Sequence, residues 1–200
     1  MTSDSIVKIL NETDYRELFL SADDHLKELW ANGNNKQDLR KIIENPGSSD
    51  KSKFLAAELL SKFEVPLTEK AHADLARVYA AALKDTNANL DGEYQLSGNM
   101  WGYLYEHDDP GELGARIMQF GAAAVPYLQE LLNDNGPVLY EGSREATVGN
   151  EYQYRIKDFA AFYLSKITNI SITFYHGREQ RDAEIERFRK KLKDSEYGKK

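Results

Sequence analysis

The stretch from Asp85 to Ala115 contains no lysine or arginine and gathers seven carboxylates: Asp85, Asp91, Glu93, Glu106, Asp108, Asp109 and Glu112. Oxygen ligands of this kind suit a hard cation, and the same charges would steer a basic partner. Carboxylates ahead of a helix also favour its N-terminal dipole, so Asp108-Asp109-Pro110 equally reads as a solvated cap for the helix that follows. The spacing matches no calcium-loop pattern. His107, beside Asp108 and Asp109, has the residue types of an acid–base pair or a metal site. Further ligands would have to come from His25, His72 or His176, which are scattered and lack any His-x-x-x-His or His-Glu spacing.

Aromatic residues border this acidic stretch and the next long connection. Trp101, Tyr103 and Tyr105 alternate beside the acids, and Tyr140, Tyr152 and Tyr154 frame a second segment that carries Arg144 and Glu145. Aromatics anchor binding surfaces, although most in any domain are core. The expected partner-binding set is therefore Trp101, Tyr103, Tyr105, Glu106, His107, Asp108, Asp109, Tyr140, Arg144, Glu145, Tyr152 and Tyr154. No catalytic residue, metal-ligand set or cofactor is assigned. Nucleophilic triads, phosphate loops and the dinucleotide glycine fingerprint are missing, the thirteen glycines are dispersed, and there is no cysteine to act as thiolate ligand, nucleophile or disulfide.

The elements that must position these residues read as helices. In Thr68–Lys84 the apolar residues Ala71, Leu75, Val78, Tyr79, Ala82 and Leu83 share one face, with Thr68 placed as N-cap. Arg155–Ile167 repeats the spacing through Ile156, Phe159, Ala160, Tyr163, Leu164 and Ile167. Shorter helices are expected over Tyr15–Trp30 and Lys36–Glu44, and a charged one over Glu179–Leu192 with Ile185, Phe188 and Leu192 inward. Two connections are long, Thr86–Asn99 and Asn133–Glu151. The second holds Val138-Leu139-Tyr140 and Ala146-Thr147-Val148 on either side of Glu141–Glu145, so a small β-hairpin within 134–151 stands as an open reading. Ile170, Ile172 and Phe174 alternate with polar residues, but one short strand without a partner is marginal.

Two hundred residues with a net charge of −7 lack the basic footprint of a nucleic-acid binder. No apolar run is long enough to span a bilayer, and the first ten residues do not have the pattern of a secretory leader. A cytoplasmic location is the default expectation, and export follows instead if a leader preceded Met1.

Self-similarity sets the expected fold class. Lys53-Phe54-Leu55-Ala56-Ala57-Glu58-Leu59-Leu60-Ser61-Lys62-Phe63 overlays Lys157-Asp158-Phe159-Ala160-Ala161-Phe162-Tyr163-Leu164-Ser165-Lys166-Ile167, and a looser copy around Leu113–Gly121 keeps Gly114, Ile117 and Phe120. Small residues in mid-helix let a neighbouring helix approach, and stacking such units covers faces that each alone leaves bare. On these residues, and on Phe120-Gly121-Ala122-Ala123-Ala124-Val125-Pro126-Tyr127-Leu128, the chain resembles the HEAT-like repeats of the short form named after phycobilisome lyases. Ser61 and Ser165 stand where that family usually has glycine, and the copies are unevenly spaced.

The resemblance, which covers about Ser52 to Asp194, implies an all-α superhelix of antiparallel helix pairs with repeats over 50–194; helical pattern alone adds N-terminal helices over 1–48, and a tail over 195–200 completes a single domain. The expected function is a protein-interaction module or adaptor that uses an acidic and tyrosine-bearing groove and loop surface, and that surface favours a partner with basic patches. The alternative is a lyase-type enzyme or small-ligand protein with a pocket near Trp101 and Tyr140. The repeat itself carries no catalytic residue across.

Overall fold

A computed structural model describes residues 3–13, 23–88, 98–102, 104, 109–140 and 143–198. Among these residues the chain is all-α, and its one β feature is an isolated antiparallel bridge between Pro137 and Arg155. The first helices are α1 (Ser3–Glu12), α2 (Asp23–Trp30) and α3 (Lys36–Glu44). Helix α4 (Asp50–Lys62) starts where the Ser49 hydroxyl accepts from the Ser52 amide at 3.1 Å, an N-cap that supplies one of the missing partners at a helix start. Helix α5 (Glu69–Ala88) begins directly after Thr68. It is followed by the short α6 (Gly98–Trp101) and α7 (Gly111–Gln119), a 3-10 turn over Gly121–Ala124, and α8 (Val125–Leu131). Pro126 lies in the first turn of α8, where its missing amide costs no hydrogen bond. The chain then forms α9 (Ser143–Tyr152), α10 (Ile156–Thr168) and α11 (Arg178–Asp194).

Packing follows chain order. Helices α1 and α3 cover α4, which packs on α5; α5 in turn contacts α7, the 3-10 turn and α8, and α10 closes on α7 and α8 before meeting α11. Buried apolar side chains from Ile6 to Leu192 make one continuous core. The duplicated alanines Ala56, Ala57, Ala160 and Ala161 are fully buried, so both copies press their small residues against neighbours. Gly114 does the same in the looser copy. A Cβ built there would lie 2.6 Å from the Trp101 carbonyl oxygen and 2.7 Å from the Tyr163 ring, so only glycine allows α7 this close to α6 and α10.

The hairpin reading of 134–151 is overturned. Its second arm lies in helix α9, and Tyr140 explains why. The Tyr140 ring sits against Gly98 and Gly149, and its hydroxyl donates to the Gly102 carbonyl at 3.1 Å. Gly149, on α9, leaves the ring room that a Cβ would fill, so the helix can pass close over Tyr140. The expected helix over Tyr15–Trp30 is present from Asp23; residues 14–22 lie outside the described residues.

Candidate functional site

The described ends of the two long connections meet, as the sequence reading required for a site, but what those ends share is core. The Gly98 amide donates to the Leu139 carbonyl, and Tyr140 fastens both segments to Gly102. Trp101, Tyr140 and Tyr154, expected at a binding surface, are instead buried. Tyr152 is half-buried, stacked on Tyr154 at 5.2 Å and edge-on to His176 at 4.6 Å. Arg144 is exposed on α9, and Glu145 lies on the same helix. Asp109 is exposed, and its carboxylate accepts from the Gly111 amide at 3.0 Å, a turn that leads the chain into α7. Tyr103, Tyr105, Glu106, His107 and Asp108 lie outside the described residues.

A different surface has the geometry of a site. Helices α5 and α8, with the turn after α8, enclose an open groove of about 590 Å³. Its floor is Ala80 and Ala81, whose small side chains keep the two helices from filling it. Tyr127 and Leu131, both half-buried, form the α8 wall, beside the exposed carboxylate of Glu130. Lys84 crosses toward Asp134 at 3.8 Å, and Asp134 is fixed by the Gly136 amide at 2.8 Å. At the far end Arg189 of α11 donates to the Leu132 carbonyl and to Asn133, tying the last helix to the groove.

The other rim is an ion-pair ladder between α4 and α5. Arg77 holds Asp50 with two bonds at 2.6 and 2.7 Å and reaches Asp74 at 2.9 Å, while the buried Lys53 bonds the other Asp74 oxygen. Bonds from Arg77 hold the Asp50 carboxyl below its ordinary range against the cost of burial. Burial works against ionisation of Asp74 as well, but Lys53 and Arg77 outweigh it. The same balance recurs where α10 meets α11. Burial opposes ionisation of Asp182, and the bonds from Arg155 and Lys157 overcome it and bring the group to about 2.

These three carboxylates bind protons more weakly in the folded chain than in the unfolded one. The contribution of Asp182 is therefore complete above the ordinary value of 3.8 and is lost as pH falls from there toward about 2, and those of Asp50 and Asp74 are lost in the same direction below 3.8. Urea denaturation across that interval should show stability falling with pH, and Asp182→Asn should flatten the fall while lowering stability at neutral pH. An unchanged acid slope in the variant would contradict the assignment.

Sequence reasoning passed over this groove because its residues are ordinary helix residues, spaced along α5 and α8. The signal present was the run Ala80-Ala81-Ala82 in mid-helix, followed by Tyr127 just after the Ala-Val-Pro junction. Among the described residues no group of three or more histidines and carboxylates is placed to hold a metal ion, and no helix is long and apolar enough to cross a membrane. No family model, curated protein or solved structure matches this chain.

Proposed function

We propose that this chain is a protein-interaction module, a short HEAT-like array of helix pairs that takes a partner segment into the groove between α5 and α8. The observation that carries the reading is the groove itself: open, floored by alanines, walled by Tyr127 and Leu131, and lined by charges already held in place by Asp50, Asp74 and Asp134. Charges fixed before binding lose little freedom when a partner arrives, which favours affinity and register together. The order of packing supports the array, because each helix pair contacts chiefly the pair before and after it. The net charge of −7 supports a partner with basic residues.

Affinity capture from the source cell, run in parallel on the natural chain and on Ala81→Arg, tests this reading. The arginine fills the floor from a half-exposed position and leaves the core untouched. Recovery of the partner should drop at least about tenfold with the variant. It should also decline as salt is raised from about 0.1 to about 1 M, where screening shortens from about 10 to about 3 Å. Equal recovery by the two chains would overturn the groove assignment, and indifference to salt would remove the basic partner.

A further inference from the structure

Each wall of the α5–α8 groove is one face of a helix. Arg77, Ala80, Ala81 and Lys84 recur at i, i+3, i+4 and i+7 along α5, and Tyr127, Glu130 and Leu131 at i, i+3 and i+4 along α8. The α5 face is about 10 Å long at roughly 1.5 Å per residue. It therefore admits roughly two turns of helix or three extended residues, a short segment of a partner and not the face of a domain.

Charge on these walls is answered at every position but one. Asp50 and Asp74 hold Arg77, and Lys84 reaches Asp134 at 3.8 Å. Glu130 is exposed on α8, and its carboxylate has no ion-pair or hydrogen-bond partner among the described residues. Nearly one turn before it stands Tyr127, which packs against the core and lines the groove. Side chains three apart on a helix are neighbours, so the ring and the free carboxylate border the same stretch of groove. A ring face attracts a cation, and a carboxylate takes a planar cation through two parallel hydrogen bonds. Arginine meets both demands with one group, whereas lysine is a compact, strongly hydrated charge that neither stacks nor forks. Neither cation of the α5 wall opposes its entry, because both already face carboxylates.

We propose that Tyr127 and Glu130 form a seat for a single arginine of the partner, next to a small or aliphatic partner residue that lies on Ala80 and Ala81. The seat depends on the groove being the docking surface, as proposed above, and adds which residue is recognised and which two side chains read it. With the arginine in place, no charge of the groove is left without a partner. The alanine floor gives the neighbouring residue depth, and Leu131 gives it an apolar wall.

A display library of random peptides of about twelve residues, panned in parallel on the full natural chain and on its Ala81→Arg and Glu130→Arg variants, tests the seat. Glu130 is exposed and its carboxylate makes no bond, so Glu130→Arg should melt as the natural chain does. Peptides retained by the natural chain and lost on Ala81→Arg should carry an arginine beside a small or aliphatic residue. Glu130→Arg should retain peptides with aspartate or glutamate at that place, as a reversed charge pair requires. In fluorescence titrations of the best retained peptide, citrulline in place of arginine should weaken binding at least about tenfold, and lysine about threefold. Tyr127→Leu should erase the difference between arginine and lysine, and Tyr127→Phe should keep it. A groove-dependent pool without arginine, or one that Glu130→Arg leaves unchanged, overturns the seat while the groove reading stands. So does a natural chain that binds arginine and lysine equally. A pool that Ala81→Arg retains as well as the natural chain, or no retained pool at all, overturns the groove reading and the seat with it.

Discussion

Replacing Arg181 by alanine is expected to lower the free energy of unfolding by about 4 kcal/mol, the scale set by stranding several buried acceptors together with an ion-pair partner. Arg181 lies on α11, a helix that reads from sequence as wet on one side, yet its side chain is wholly buried. The guanidinium donates to the carbonyls of Tyr175 at 2.9 Å, His176 at 2.7 Å and Tyr152 at 2.6 Å. Two of these precede α11, and the third ends α9, where helix carbonyls have no partner of their own. The Nε atom stands 3.5 Å from Asp158, which has no exposure and is held chiefly by Arg155 through bonds of 3.0 and 3.1 Å. The flat face of the group rests over the Tyr154 ring at 5.2 Å. One planar fork therefore closes the end of α9, the start of α11 and the N-terminal turn of α10. Lysine keeps the charge but not the fork, so Arg181→Lys should recover less than half of the loss. Arg181→Met, which keeps most of the volume, separates the polar role from packing. Urea midpoints at unchanged slope give the comparison. A loss under about 1 kcal/mol for the alanine variant would mean that water replaces the guanidinium.

Arg181 also marks where sequence reading stops. Periodicity exposes what repeats, so Ile156, Phe159, Ala160, Tyr163, Leu164 and Ile167 were legible as one stripe; all are buried except Ile167, which is half-buried in the last turn of α10. The helix that carries Ile185, Phe188 and Leu192 was legible for the same reason. A buried arginine on that helix breaks the pattern instead of following it, and its partners are carbonyls 5, 6 and 29 residues away that no side-chain code announces. The aromatic reading failed on related grounds. Trp101 and Tyr140 stand next to acidic, glycine-bearing segments, which suggests a surface, but glycine also makes room for a ring. At Gly98 and Gly149 the space goes to Tyr140, and only the assembled helices show that choice. Residues 170–174 present the reverse case. Their alternation was plain, and the missing partner was plain as well; packing against the core keeps the segment extended without one.

Arg116→Ala should cost about 3 to 5 kcal/mol, because it leaves the Glu58 carboxylate buried with its charge unanswered. The pair joins α4 to α7 across 58 residues of sequence: both Glu58 oxygens accept from Arg116, and the Tyr79 hydroxyl of α5 donates to the same carboxylate. Burial pushes the Glu58 carboxyl above its ordinary value of 4.5, and Arg116 with Tyr79 opposes that rise without cancelling it. Between 4.5 and the raised value the folded chain holds a proton that the unfolded chain releases, so this group favours folding at low pH and loses that contribution as pH rises through the window. Removing Arg116 takes away the strongest opposing pull and extends the window upward. The alanine variant should therefore lose stability more steeply with rising pH than the natural chain, and its deficit should shrink toward pH 4.5. Glu58→Gln placed on Arg116→Met keeps an acceptor for Tyr79 while removing both charges. Its cost should fall short of the summed single costs by about 2 kcal/mol, the coupling that a double-mutant cycle reads. Strict additivity would mean that the pair is incidental and that α4 and α7 are held through α5 alone. A coupling of the expected size makes the pair a direct tie between α4 and α7.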